Sequence, residues 1–209
     1  MCNEAARRIA IGQIREDWSQ LKIPLRFPEG VPNLAPLDSI RITDPNAIIR
    51  ASGEAAGEAE LVVRRWSWPG PTGKPVYNYR SEGREFANSP TGGRCLIVAD
   101  AFYEFTDALE RSKHKIKWRF TKVGEDWFCI AGIWRADRQV GEAFTMLTCA
   151  PGPDIAPYHN RQVIVLDRAD WLHWIDAAVP ARLLLRPSPA EALPSNACRP
   201  ESPVLQLTL

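Results

Sequence analysis

Most apolar runs in this chain are short, and several alternate apolar with polar positions in the period-two manner of half-buried strands. On this basis Ile40–Thr43, Glu60–Arg64, Lys117–Thr121, Trp127–Trp134, Ala143–Cys149 and Gln162–Leu166 are predicted strands. The run RCLIVADAFYEF, from Arg94 to Phe105, reads as one buried strand. Helical spacing occurs twice. Residues 12–22 (GQIREDWSQLK) predict a short amphipathic helix, and RADWLHWID predicts a second over Arg168–Asp176. The stretch between them that begins IPLRFPEGVPNLAPLDSIRI holds too many prolines for a helix and reads as extended chain and turns. WSWPGPTGKPVYN, starting at Trp66, is too long for a simple connector and is a candidate functional loop. After Pro180 the composition shifts to Pro, Ala and Ser, which suggests a wrapping tail over about 180–209 ending in Val204-Leu205-Gln206-Leu207. Many strands, few helices, no repeat and no βαβ alternation indicate one α+β domain over residues 1–209, built around antiparallel sheet.

Composition narrows the class. A chain of 209 residues with 45% hydrophobic content has enough apolar surface for a core and is not expected to be disordered. No apolar run approaches the ~20 residues that span a bilayer, and the first residues lack a long apolar segment, so a cytoplasmic protein is expected. The five cysteines are scattered without a CxxC pair, which argues against a disulfide framework or a zinc site. A net charge of +1 is too small for a dedicated duplex-binding protein. Positive charge is nonetheless concentrated between Arg64 and Arg94, where Arg64, Arg65, Lys74, Arg80, Arg84 and Arg94 face only Glu82 and Glu85. A solvated basic face accounts for such a run as well as a binding groove does.

Chemistry-bearing residues stand out at four places. Cys2 becomes the N-terminus once Met1 is removed, placing an α-amine (pKa roughly 8) and a thiol (pKa roughly 8.5) on adjacent carbons. Such an aminothiol condenses with an aldehyde to an imine and then closes a five-membered thiazolidine. On position alone an incidental cysteine on a frayed terminus is the commoner case. Glu104 lies among aromatics in Ala101-Phe102-Tyr103-Glu104-Phe105; alternation puts Phe102 and Glu104 on one face and Tyr103 and Phe105 on the other. An apolar setting raises a carboxyl pKa and suits it to proton transfer near neutrality, although a rim glutamate paired with an arginine would look the same. His159, in Pro157-Tyr158-His159-Asn160-Arg161, sits in a polar turn before a strand, where it could move protons or be structural. His114 and His173 lack such a context. Asn78, Arg80 and Glu82 form a polar cluster at the end of the long loop, and Trp66 and Trp68 precede it. If exposed, those two rings beside arginines would suit stacking of unpaired bases; the remaining tryptophans read as packing.

The order of these pieces resembles the SOS response-associated peptidase (SRAP) family over nearly the whole chain. The matching residues are Met1-Cys2, Asn33-Leu34-Ala35-Pro36, Arg65-Trp66, Asn78-Tyr79-Arg80-Ser81-Glu82, Arg94-Cys95-Leu96, Phe102-Tyr103-Glu104, Ala131-Gly132-Ile133-Trp134, Phe144–Thr148, His159-Asn160-Arg161 and Val163–Leu166. The resemblance implies a compact domain with a barrel-like sheet, flanking helices and a groove for single-stranded DNA. It also implies that Cys2, Asn78, Glu104 and His159 carry covalent capture of abasic sites, with Trp66, Arg80 and Arg161 on the DNA side, where the reading of the loop also puts Trp68. The implied partner is single-stranded DNA containing abasic sites; no membrane, metal or organic cofactor is implied, and a monomer is the default. A Cys2-dependent peptidase and a non-covalent single-strand binder are the rival activities. The chain departs from the family pattern at Cys2-Asn3-Glu4, where Gly-Arg is usual, so an acidic side chain is expected to weaken a nearby phosphate contact. Ser67 replaces a glycine, Phe105 a tryptophan, and Gln162-Val163 the common Met-Pro.

Overall fold

The structure, a computed structural model, describes residues 2–107 and 115–198. In chain order the strands are β1 (Glu4–Arg7), β2 (Leu25–Arg26), β3 (Leu37–Arg41), β4 (Pro45–Ala51), β5 (Ala59–Trp66), β6 (Trp68–Pro69), β7 (Pro75–Val76) and β8 (Asn78–Arg80). They continue with β9 (Gly92–Ala99), β10 (Ala101–Thr106), β11 (Ile116–Phe120), β12 (Phe128–Asp137), β13 (Gly141–Cys149), β14 (Gln162–Val163), β15 (Val165–Leu166) and β16 (Ser195–Ala197). Helices α1 (Ile11–Ser19), α2 (Trp171–Ile175) and α3 (Ala181–Leu184) are short, and a single 3-10 turn, Arg168–Asp170, leads into α2.

Five strands close into a barrel. Strands β5, β4, β9, β12 and β13 neighbour one another antiparallel in that order, and β13 returns to β5 in a parallel pairing of Ala143 with Arg65 and Phe144 with Trp66. Period-two alternation decides what faces in. Ile97 lies opposite both Ile48 and Ile130, and these three join Val62, Phe144 and Met146 in the interior. Leu96 lies opposite Ile49 and Ala131 on the outer face, which Ile14 and Trp18 of α1 and Trp171 and Trp174 of α2 cover. Ile14 and Trp18 are one helical turn apart, so a single stripe of α1 is buried. Each of these fully buried aliphatic side chains contributes about 1.5–3 kcal/mol through loss of water contact. Gly132 is required inside the barrel, because a Cβ there would lie 2.6 Å from Ile97 Cδ1 and 2.9 Å from the Thr145 carbonyl.

A second sheet, ordered β16-β11-β10-β1-β3, grows from the end of β9. The run read as one strand from Arg94 to Phe105 is in fact two, broken at Asp100. Asp100 is buried and its carboxylate gathers Arg8 and Arg119, which holds the chain where it leaves the barrel for β10. Within this sheet β1 lies between β10 and β3, pairing Glu4 with both Tyr103 and Arg41. The chain's first residues are thereby built into the middle of a sheet.

Other differences from the sequence reading have local causes. The first helix stops at Ser19 rather than Lys22, because Gln20–Lys22 turn out of it and Lys22 adopts φ +57°. The predicted Gln162–Leu166 strand is two short pieces, β14 on β13 and β15 on β12, separated at Ile164. Strand β4 begins on a proline that masks its start, yet it is central to the barrel. The tail past Pro180 is partly regular: α3 packs on the outer core, and β16 extends the second sheet. Its predicted apolar end at Val204–Leu207 and His114 lie outside the described residues.

Ser67 occupies a strained position. Its φ of +82° suits glycine, and its buried Oγ has no hydrogen-bond partner among the described residues. Replacement Ser67→Gly is therefore expected to raise stability by about 1 kcal/mol, read as a higher midpoint in urea. A lowered midpoint would show that the hydroxyl has a stabilising partner.

Candidate active site

Among the described residues Cys2 and Asn3 precede β1, and the Cys2 side chain is fully buried. Its thiol donates weakly to the Glu4 carbonyl at 3.3 Å. Asn78 Nδ2 donates to the Cys2 carbonyl at 2.6 Å, and the Cys2 backbone N–H donates to the Glu104 carboxylate. Asn78 starts β8, whose parallel pairing to β13 sets Asn78 opposite Met146. Glu104 reaches the site from β10, on the same face as Phe102, which stacks on Phe120 at 5.2 Å. The alternation read from the sequence holds here.

Glu104 and His159 line one cavity of about 610 Å³, together with Asn3, Phe105, Thr106, Asp107, Lys115 and Tyr158. His159 follows a turn in which its own N–H and that of Tyr158 donate to the Ile155 carbonyl. Its Nδ1 accepts the Arg161 backbone N–H at 3.0 Å. The Arg161 carbonyl lies 3.2 Å from the same Nδ1, so Nε2 carries the proton when Nδ1 accepts the Arg161 N–H, and Nδ1 carries it when the ring donates to that carbonyl. The sequence did not single out Tyr158 or Trp118, yet their rings meet at 4.8 Å beside the cavity, and Trp118 donates to Thr106 Oγ1 at 2.9 Å.

The protonation states are set by burial. Glu104 rises to about 7, since desolvation outweighs the pull of the terminal ammonium and of the Cys2 N–H. Burial first, and then the Glu104 charge, push the Cys2 thiol far above its ordinary range. With Met1 in place, Cys2 therefore keeps its proton at neutral pH. Desolvation and nearby positive charge push His159 below its usual value, so it is neutral at pH 7.

The DNA-side residues fare differently. Trp66 is wholly buried, stacked on Phe144 and donating its indole N–H to the Tyr77 carbonyl at 2.8 Å. Trp68 is 5% exposed, with the Arg135 guanidinium 4.5 Å from its ring centre. Neither presents a bare face, so their reading as exposed stacking platforms is corrected: closure of β13 onto β5 draws the start of the loop into the core. Arg64 and Arg94 also leave the predicted basic face. The first pairs with Glu29 and Glu142, and the second is buried against the carbonyls of Phe86 and Val179. Arg80 is exposed on β8. Arg161 donates to the Glu82 carboxylate and to Thr148. Glu4, expected to repel a phosphate, is buried against Lys117 Nζ at 2.6 Å, and that ammonium lies 3.9 Å from the Tyr103 ring centre. Its charge is compensated inside the sheet. Among the described residues no cluster of three His, Cys, Asp or Glu side chains could hold a metal ion, and no helix is long and apolar enough to cross a membrane.

A barrel-based β protein whose second residue is clamped between a carboxylate and an amide, beside an imidazole-lined cavity, is the class that fold and site define. The chain belongs to the SOS response associated peptidase (SRAP) family, whose model matches residues 1–200. That membership supports an SOS-associated, peptidase-like role. Among solved structures the chain is similar to a Bordetella bronchiseptica protein, at 24% identity, with a TM-score of 0.70 and coverage of 95% of this chain and 100% of that one. A Bacteroides thetaiotaomicron protein is similar at 16% identity, with a TM-score of 0.67 and coverage of 95% and 92%. These two likenesses concern the fold. No curated protein matches the chain.

The raised Glu104 value has a consequence for stability. A carboxyl whose folded pKa exceeds its unfolded value stabilises the fold below about 4.5, and that contribution is lost as pH rises through about 7. Glu104→Gln is therefore expected to gain about 1–3 kcal/mol on the native protein between pH 5 and pH 8 in urea titrations. A constant difference across that range would mean that Glu104 titrates normally.

Proposed function

We propose that the chain captures abasic deoxyribose in single-stranded DNA through both the nitrogen and the sulfur of Cys2, once Met1 is removed. The observation that carries the reading is the clamp on residue 2: its nitrogen on Glu104 and its carbonyl on Asn78. Loss of Met1 turns that nitrogen into a primary amine already seated on the Glu104 carboxyl.

The closed sugar opens as its anomeric hydroxyl loses a proton and the ring oxygen gains one; neutral His159, with Nε2–H toward the cavity, serves as the acid. The amine attacks the C1′ aldehyde and forms a carbinolamine. Glu104 takes a proton from nitrogen and returns one to the departing hydroxyl, so water leaves and an imine remains. The Cys2 S–H then adds across C=N: a C–S bond forms, and the thiol proton passes to nitrogen by way of Glu104. Ring closure removes the imine that would otherwise permit β-elimination and strand scission. A protonated thiol suits this order, because the amine is the first nucleophile and sulfur acts only on the imine.

A cysteine peptidase acting on other proteins is less consistent with the same electrostatics. Such an enzyme works through an exposed thiolate stabilised by an imidazolium, whereas here the thiol is buried and protonated and His159 is neutral. Exposed Arg80 and the rim residues Asn3 and Lys115 are the polar groups a strand would meet on its way to the cavity.

Met1-processed protein, verified by intact mass, is expected to give a heat-stable shifted band with a single-stranded oligonucleotide bearing one abasic site. Cys2→Ala should give none, and Cys2→Ser more strand cleavage than cross-link. Equal stable cross-linking by either variant would remove sulfur from the mechanism, and cleavage of an unrelated protein substrate in place of a band would restore the peptidase reading. Arg80→Ala should weaken single-strand binding several-fold and reduce the slope of log K against log salt by about 0.7. An unchanged slope would take Arg80 off the phosphate path.

A further inference from the structure

Asn78 and His159 reach the site from different segments, and one ion pair joins those segments. Asn78 opens β8 and His159 precedes β14, while β8 and β14 lie on the two edges of β13. Thr148 of β13 is the shared point, in register with Arg80 on one side and Val163 on the other. Just past β8, the Ser81 N–H and Oγ both donate to the Thr148 carbonyl at 3.0 Å. From the opposite edge Arg161 Nη2 donates to the same carbonyl at 2.8 Å and to Thr148 Oγ1 at 3.1 Å. Glu82 completes the bridge: its carboxylate takes both Nη1 and Nη2 of Arg161, the latter at 2.9 Å. That hydrogen bonding holds the Glu82 carboxyl below its ordinary value, so it stays ionised.

We propose that Glu82 is a positioning residue for His159, acting through Arg161; the proposal rests on the reading of His159 as the acid that opens the sugar ring. The Arg161 side chain, fixed by Glu82 and Thr148, fixes its own backbone. That backbone sets its N–H 3.0 Å and its carbonyl 3.2 Å from His159 Nδ1, and holding the N–H in place keeps Nδ1 an acceptor with the proton on Nε2. Releasing the guanidinium frees the amide to turn, and the imidazole then samples the tautomer with nothing to donate from Nε2. The same contact limits Arg161 as a phosphate anchor, because an internal carboxylate already fills its fork. Glu82 is half exposed, so neutralising it does not open the core.

The test uses the full chain carrying Glu82→Gln, which keeps the shape and removes the charge. In protein labelled with ¹⁵N-histidine and free of DNA, the wild type should show His159 in the Nε2–H tautomer and the variant a mixture of both. In single-turnover capture of an abasic oligonucleotide, the rate at saturating DNA should fall about tenfold while the half-saturating concentration stays within about twofold. Glu82→Asp should recover part of the rate. In a His159→Ala background, Glu82→Gln should add less than about twofold. An unchanged tautomer overturns the proposal, as does tighter DNA binding at an unchanged maximal rate, which would make Glu82 a competitor of phosphate instead. Should the wild type form no adduct at all, the functional reading fails on its own, and the tautomer measurement still decides the role of Glu82.

Discussion

Strand β1 lies between β10 and β3, and hydrogen bonds along both edges tie the first residues of the chain into a sheet. A terminus elsewhere in a protein costs little to move, because few contacts cross it. Here the same residues are part of the core, and every feature of the site follows from that. Cys2 is buried because the sheet continues past it. Glu104 is desolvated because β10 pairs directly with β1. Tyr158 on the cavity wall is backed by Trp118 of β11, the strand paired with β10.

Burial also sorts the protons. A thiol, a carboxyl and an imidazole brought together in water would leave the carboxyl charged and the imidazole partly so. In this setting desolvation acts on all three in the direction of the neutral form. The site therefore holds thiol and imidazole uncharged beside a carboxyl at about 7 that can give or take a proton, which suits a sequence of proton transfers around one carbon better than it suits a permanent thiolate. Under the proposed function, the amine of Met1-processed Cys2 is the nucleophile that such an arrangement leaves available.

Much of this was legible in the chain. Alternation placed Glu104 with Phe102 and away from Tyr103, and the polar turn before a strand put His159 at an open position, where it lines the cavity with Glu104. Whether Cys2 is frayed or buried was not legible, because residues 2–7 carry no strong strand pattern and owe their order to two distant partners, β3 and β10. The tryptophans misled for a related reason. Trp66 and Trp68 flank a Pro/Gly loop, which reads as surface, but the parallel closure of β13 onto β5 is a long-range contact that no local pattern encodes. Glu4 likewise looked like a misplaced charge until Lys117, over a hundred positions later, proved to sit on it. The Glu82–Arg161 pairing escaped notice for the same cause: the sequence marks both residues but not that they meet across 79 positions.

The central claim is that nitrogen and sulfur of one residue bond to the same sugar carbon. An abasic oligonucleotide enriched in ¹³C at C1′, reacted with Met1-processed protein and examined by NMR, tests it directly. The account predicts that the labelled carbon becomes tetrahedral, correlates with the Cys2 nitrogen and shows the shift of a carbon bonded to both nitrogen and sulfur. A trigonal imine carbon as the stable product, or a carbon left as the free sugar, would contradict it.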